Sequence, residues 1–307
     1  MKNWILTLLR KLSGSSVLDR KIEANMRLNA QILTNQHINS DSITSINQVE
    51  YKVFSEWGDD GIIQYLINKI QISNQFFVEF GVENYQESNT RFLLTQNNWR
   101  GLIMDGSPAH IAEIQRANYY FRHDLTAVNA FITAENIDQL IQTAGVPLKV
   151  GLLSIDIDGN DYWVWKSIQK VDADIVIVEY NALFGSELAI TIPYHPNFLR
   201  MKAHYSGLYW GASLSALCYL ANEKGYSFIG CNSNANNAYF IKNELLIFIP
   251  NIKPVTPQGG YRESRFRQSR SKTGKLTFLS NQEAKKIINK LPVIDVVTNR
   301  QLPLELL

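Results

Sequence analysis

Between residues 55 and 180, short apolar runs alternate with segments of helical period. The apolar runs are Phe76–Phe80, Gly101–Met104, Tyr119–Phe121, Val150–Ile157 and Asp174–Val178. Helical patterns at Asn89–Gln96, Ala109–Ala117, Glu135–Thr143 and Tyr162–Ile168 lie between them. Strands alternating with helices predict βαβ units and a parallel sheet. Right-handed crossovers then wind helices onto both faces. Ser55-Glu56-Trp57-Gly58-Asp59-Asp60-Gly61 opens this part, with Asp59 or Asp60 placed to cap a helix over Ile62–Ile70.

After Tyr180 the rhythm changes. Residues 181–210 are loop-like and aromatic. A helix is predicted over Ser213–Lys224, with Gly225 as its C-cap. Tyr226–Cys231 and Ala238–Ile241 read as two strands joined by Asn232-Ser233-Asn234-Ala235-Asn236-Asn237, a run suited to a hairpin turn. Leu245–Ile249 extends that pair or forms a separate strand. The fold class is therefore α/β: a doubly wound, mostly parallel, seven-stranded Rossmann-like sheet ending in an antiparallel strand.

The flanks differ. Residues 1–48 read as a helical appendage. Trp4, Ile5, Leu8, Leu9 and Leu12 recur at helical spacing beside Lys2, Arg10 and Lys11, and Val17–Thr34 is a second, more polar helix. The first pattern fits packing or self-association better than a membrane-surface anchor, being short and weakly basic. Residues 49–253 form the expected catalytic domain. Residues 254–307 form a basic loop followed by a C-terminal helix and tail. The loop carries Arg262, Arg265, Arg267, Arg270, Lys272 and Lys275 against Glu263. It reads either as a solvated mobile segment or as a lid that steers anions over the crevice.

Bulk properties add limits. The net charge of +2 gives no global field for nucleic acid. Cys218 and Cys231 are too few for a disulfide framework and lack zinc spacing, which fits a reducing compartment. The opening apolar run is too short to span a bilayer and lacks a cleavage signal, so the expectation is a cytoplasmic protein, at most peripheral to a membrane.

The chemistry sits where the apolar runs end. Leu152-Leu153-Ser154-Ile155 gives way to Asp156-Ile157-Asp158-Gly159-Asn160-Asp161. In open α/β sheets ligands bind beyond such strand tips. Glu79-Phe80-Gly81-Val82-Glu83 closes the first run. Asp105-Gly106-Ser107 closes the second, and Asp124 is placed after the third. Gly81 allows a close backbone approach to a ligand. An acid at the second tip can accept from ribose hydroxyls. The absence of G-x-G-x-x-G weakens nicotinamide binding.

Glu-x-Gly, then an acid after each of the next three strands, resembles the order in class I S-adenosylmethionine-dependent methyltransferases. Ile155-Asp156-Ile157-Asp158-Gly159, followed by Val176-Ile177-Val178-Glu179-Tyr180-Asn181, is most similar to the FkbM-like branch. The resemblance spans residues 50–250. It implies an O-methyltransferase using S-adenosylmethionine on a sugar, polysaccharide or secondary metabolite. It implies cofactor contacts at Glu79, Gly81, Glu83, Asp105, Ser107, Asp124 and Asp156, with Asp156 facing the cofactor's amino group or the acceptor. Tyr85 stands where the family's loop has its second glycine.

The residues alone leave the rest open. Asp156 and Asp158 share a face and can act as base and orienter. With Glu179 they can instead hold Mg2+ or another divalent cation. His195 is a further base candidate, as is His204. Two other functions compete. Asp156-x-Asp158 is also the D-x-D of metal-dependent glycosyltransferases using nucleotide-sugars, although Glu79 and Asp105 would repel a diphosphate. A degenerate, non-enzymatic binding module is the third possibility. Expected partners are a small-molecule or glycan acceptor, with no nucleic acid.

Overall fold

The structure is a computed structural model describing residues 15–306. The pattern Trp4–Leu12 lies outside those residues. The first described element is helix α1 (Ser15–Ile38). Helix α2 (Asp59–Lys69) then leads into strand β1 (Phe76–Phe80). Then follow α3 (Arg91–Gln96), β2 (Arg100–Asp105), α4 (Pro108–Gln115), β3 (Leu125–Asn129) and α5 (Ile137–Thr143). The parallel part ends with β4 (Lys149–Ile155), α6 (Asp161–Ser167) and β5 (Asp172–Glu179).

The main sheet has seven strands in the order β3-β2-β1-β4-β5-β8-β7. Strand β8 (Asn237–Lys242) runs antiparallel to β5 and to β7 (Tyr226–Cys231), which follows helix α8 (Leu214–Glu223). This is the doubly wound, mostly parallel sheet with an antiparallel strand that the alternation predicts. The Asn-rich hairpin is present, with Ala235 at φ +69° in its turn.

Both faces of the sheet are covered, so its central strands are apolar on both sides. Along β5, Ile175 and Ile177 enter one core while Val176 and Val178 enter the other. Trp165 and Tyr162 of α6 pack in the second of these cores with Phe240.

Several local expectations need correction. Residues 119–121 form turns, and the third strand is Leu125–Asn129, paired with β2. The aromatic triplet Tyr119-Tyr120-Phe121 carried a strand's apolarity without its alternation. Leu245–Ile249 is not a strand, since residues 243–248 form 3-10 turns. Asp59 and Asp60 do not cap α2 from outside. They lie inside its first turn, and Gly58 is the N-cap. Asp60 Oδ2 instead accepts from the backbone N–H groups of Val53, Phe54 and Ser55 at 2.7–2.8 Å. Asp59 accepts from Asn232, Asn237 and Tyr239, which ties the helix to the β7–β8 hairpin.

The C-terminal segment, expected as a basic loop with a helix and tail, also carries two strands. Within it, the short helix α9 (Pro257–Gly260) precedes α10 (Asn281–Ile288), whose capping box is Ser280 with Glu283, and a further short helix, α7 (Arg200–Ala203), lies earlier, before α8. Strands β9 (Pro292–Asp295) and β10 (Arg300–Pro303) form a hairpin. It extends β6 (Ile190–Thr191) into a second, three-stranded antiparallel sheet. Ala284, Ile288 and Val293 pack there with Phe184, Ile190, Ile192, Leu208 and Tyr209. Sequence gave no sign of this sheet, because β6 is only two residues long.

Candidate functional site

The order of the main sheet reverses between β1 and β4, each of which pairs with the other in parallel. That is the switch point where the crossovers leave to opposite faces and a crevice opens. A cavity of about 950 Å3 lies there. It lies near the upper end of the usual volume range for small-molecule sites.

Gly81 fixes the floor. Its φ is +73°, and a Cβ added there would sit 1.5 Å from the Asp156 carbonyl oxygen. The turn after β1 therefore lies directly against the turn after β4, and only glycine fits. The loop that follows is also left-handed at Glu83 (φ +46°) and Tyr85 (φ +61°). Tyr85 thus adopts the backbone geometry a glycine would favour. Its ring is fully buried against Tyr119 at 5.7 Å, and its hydroxyl hydrogen-bonds Thr90 Oγ1 at 2.8 Å. Burial of an aromatic ring offsets left-handed strain of about 1–2 kcal/mol.

Glu79 organises the far end of the same loop. Its carboxylate accepts from Ser88 Oγ at 2.6 Å, from the Asn89 N–H at 2.8 Å and from the N–H and hydroxyl of Thr90. Burial pushes its carboxyl up, and these donors oppose that rise. With both oxygens used this way, Glu79 lines the cavity mainly as the anchor of its rim.

Asp105, at the tip of β2, bridges two turns. One oxygen accepts from the Glu83 N–H at 2.9 Å. The other accepts from the Ser107 N–H at 2.7 Å and lies 3.2 Å from His110 Nδ1. Ser107 caps α4 through the His110 N–H and is not among the lining residues. His110, Phe131 and Ile132 complete that wall. Sequence reasoning missed His110, although its place in the first turn of the helix after Asp105 was a usable signal.

Asp124 is a correction. It precedes β3, is exposed, and its carbonyl accepts from the N–H of Gly101 at the start of β2. It therefore sits at the end of the sheet opposite the crevice. The misplaced third strand carried it to the wrong tip.

The acidic turn after β4 separates into distinct roles. Asp161 is fully buried and accepts from the Ile157 N–H at 2.8 Å and the Gly159 N–H at 2.9 Å, which closes the turn. Burial raises its carboxyl to about 6. Asp158, at φ +56°, is exposed at the edge of the cavity and meets Arg200 Nη1 at 2.6 Å. Arg200 also covers the face of Trp210 at 4.7 Å and donates to the Gly207 carbonyl. No sequence signal linked Arg200 to the turn. Asp156 lines the cavity beside Glu179 at the tip of β5, close enough for the two carboxyls to influence one another. Burial first, and then the charges of Asp158 and Asp161, drive Asp156 well above the usual carboxylate range. Burial and then Asp156 do the same to Glu179. Glu179 Oε2 is buried without a hydrogen-bond partner, in a side chain that lines the cavity.

The triad Asp156, Asp158 and Glu179 is therefore not assembled as a ligand set, because Asp158 is turned to Arg200. Among the described residues no three His, Cys, Asp or Glu side chains group around a metal position. His195 is a second correction. It is exposed, is not among the lining residues, and its Nδ1 accepts from the Asn197 N–H within its own turn. His204 is likewise held locally, 2.7 Å from Ser206 Oγ.

The remaining wall comes from the chain's second half. Phe198, Arg200 and Lys202 lie on one side, and Phe266 and Gln268 of the basic segment on another. Phe266 stacks parallel to Trp57, with ring centroids 6.4 Å apart. Cys218 and Cys231 are both free thiols. No described helix is long and apolar enough to cross a membrane.

No protein-family model matches the chain, and no curated protein matches it. Solved structures do resemble it. The plantazolicin methyltransferase BamL, in complex with a desmethyl-plantazolicin analogue and SAH, is 13% identical over 74% of this chain and 99% of that one, with a TM-score of 0.39. An O-methyltransferase from Bacillus cereus in complex with SAH is 12% identical over 71% and 89%, at 0.35. The pyocyanin biosynthetic protein PhzM is 10% identical over 59% and 56%, at 0.36, so this chain spans little more than half of it. These are distant likenesses of fold.

Proposed function

We propose that this chain is an S-adenosylmethionine-dependent O-methyltransferase of the kind its FkbM-like motifs imply, acting on a hydroxyl of a sugar, polysaccharide or secondary metabolite. The observation that carries the reading is the contact of Gly81 with the Asp156 carbonyl at the switch point. It leaves a side-chain-free floor between two strand tips, with Asp105 on one side and the Asp156–Glu179 pair on the other.

The residues fit such a cofactor. Asp105 can accept from ribose hydroxyls, and Phe131, Ile132 and His110 can pack on a base. The open floor at Gly81 admits the chain that carries the sulfur. The cofactor supplies an electrophilic methyl group. The protein's own part is alignment and proton removal, and alignment of the reacting groups is the larger contribution.

Asp156 and Glu179 form the base. Two adjacent carboxyls, Glu179 buried and Asp156 half-buried, share a proton, and the ionised member of such a pair is more basic than an ordinary carboxylate. The unpartnered Glu179 Oε2 offers the accepting atom. With the cofactor bound as methyl donor, the pair would take the proton that the acceptor hydroxyl gives up on transfer. The D-x-D glycosyltransferase reading is disfavoured, because Asp158 is engaged by Arg200, which splits the Asp156–Asp158 pair on which that reading depends.

Isothermal titration with S-adenosylhomocysteine tests this directly. Wild type should bind it without added metal, and Asp105→Ala should bind about ten- to a hundredfold more weakly, the worth of hydrogen bonds to a charged group. Unchanged affinity in Asp105→Ala would sink the reading.

A further inference from the structure

Two non-glycine residues of the loop after β1, Glu83 and Tyr85, hold left-handed backbone. Such strain persists only where the surroundings over-determine it. On the cavity side the loop is held by Asp105, which accepts from the Glu83 N–H, and by Glu79, which accepts from Ser88, Asn89 and Thr90. Neither anchor reaches the carbonyls of Tyr85 and Gln86 between them.

Those two carbonyls share one donor. Arg91 Nη1 lies 3.2 Å from the Tyr85 oxygen and 3.3 Å from the Gln86 oxygen. Its guanidinium sits over the Phe54 ring at 4.3 Å and over the Tyr119 ring at 4.9 Å. Tyr119 in turn contacts the buried ring of Tyr85. Arg91 is the first residue of α3. A cation in the first turn opposes the helix dipole, so this placement does nothing for α3 itself. The charge is directed at the loop instead.

The platform that carries Arg91 reaches α1. The Arg27 guanidinium also lies over the Phe54 ring, at 5.1 Å. Arg27 is held by Glu23 at 2.6 Å and donates to the Thr95 carbonyl in α3. Met26 and Ala30 of α1 pack with Val53, Phe54 and Phe92. Residues 53–55 are fixed by their N–H bonds to Asp60, and the Phe54 carbonyl accepts from the Ser88 N–H at 3.1 Å. Lys52 adds an ion pair to Glu87 at 2.9 Å. Contacts therefore run unbroken from α1 through Phe54 and Arg91 to the loop whose Glu83, Glu87, Ser88 and Asn89 line the cavity.

We infer that Arg91 is a positioning residue for the cofactor: it holds the left-handed turn that a glycine would adopt unaided, and it couples that turn to the packing of α1. Only the naming of the ligand rests on the methyltransferase reading. A ligand that orders the loop must, by reciprocity, tighten α1, and loosening α1 must weaken the ligand. Lysine is no substitute, because a point charge neither spans two carbonyls nor stacks as a plane between rings.

The test is amide hydrogen exchange on the full chain, with and without S-adenosylhomocysteine, beside isothermal titration. Without ligand, Arg91→Gln should exchange about tenfold faster than wild type at the bonded amides of Glu83, Tyr85 and Ser88. Exchange in β4 and β5 should stay as in wild type, whereas a merely structural role would speed those strands too. S-adenosylhomocysteine should bind about tenfold more weakly, the equivalent of about 1.4 kcal/mol. In wild type the ligand should slow exchange over residues 26–34 of α1, and in Arg91→Gln that response should vanish. Arg91→Lys covers the case of a glutamine variant that does not fold, and should bind about threefold more weakly or worse. Wild-type exchange in the loop of either folded variant, or wild-type affinity, overturns the positioning role. An α1 that ignores the ligand in wild type overturns the coupling. If wild type itself does not bind S-adenosylhomocysteine, the methyltransferase reading fails, while the ligand-free exchange still decides the role of Arg91.

Discussion

Gly81→Ala is the most informative single change. Alanine at φ +73° costs about 1–2 kcal/mol for the left-handed backbone alone. The added Cβ would lie 1.5 Å from the Asp156 carbonyl oxygen and 2.7 Å from its carbon. An ordinary contact lies at 3.4–4 Å, so one of the two turns must retreat by well over an ångström. Neither is free to do so. The Gly81 N–H is bonded to the Met104 carbonyl at 2.9 Å, and the turn after β4 is pinned by both oxygens of Asp161. Strain and lost hydrogen bonds together put the cost at about 3 kcal/mol, which in a domain of this size lowers the melting temperature by roughly 6–12 °C. A displacement of an ångström at a reacting centre is worth about a hundredfold in rate. Differential scanning calorimetry and S-adenosylhomocysteine titration on the same preparation read both effects. A variant that melts within 2 °C of wild type, as sub-kcal changes do, and binds the ligand equally well would refute the assigned contact.

Two further expectations concern the turns around the cavity. Glu79→Gln replaces one acceptor oxygen with a donor that faces hydroxyl and amide donors already in place, so it should destabilise by about 1–3 kcal/mol. Limited proteolysis should then cut within residues 82–90, and retention of wild-type stability and resistance would show that the carboxylate does not hold that loop. For Asp161 the sign follows from its raised carboxyl. Its folded value of about 6 exceeds the ordinary 3.8, so its contribution to stability is full below about 4 and is lost as pH climbs to 6. Urea unfolding from pH 4 to 7 should lose up to about 1.4 kcal/mol per pH unit of this slope in Asp161→Asn, the linkage of one proton. The slope, not the absolute stability, is the readout, because asparagine also leaves one turn N–H facing a donor; an unchanged slope would remove Asp161 from the account.

The central sheet was legible because its signals are local. Val150–Ile155 and Ile175–Val178 are continuous apolar runs, as strands buried on both faces must be, and the acids begin where the strands stop. Gly81 and Asp105 could be placed at the crevice for the same reason. The third strand failed because Leu125-Thr126-Ala127-Val128-Asn129 is weakly apolar beside the aromatic triplet before it, and Asp124 fell with it. Arg200 and Phe266 were invisible as site residues, since what brings them to the mouth is long-range packing rather than periodicity. The division between Asp156, Asp158 and Asp161 was equally hidden. Three acids within six residues look interchangeable until backbone direction sends one to the cavity, one to an arginine and one into its own turn.

The three-stranded sheet built from β6, β9 and β10 has a consequence for how the molecule can diversify. It ties the C-terminal hairpin to the segment that carries Phe198, Arg200 and Lys202, while Glu79, Gly81, Asp105 and Asp156 all come from residues before 160. The two sides of one cavity are thus written in separate stretches of the gene. Insertions, deletions or recombination after residue 180 can reshape what enters the mouth while leaving the Gly81 floor untouched. Accumulated variation should therefore be denser on the basic segment and the small sheet than around the switch point.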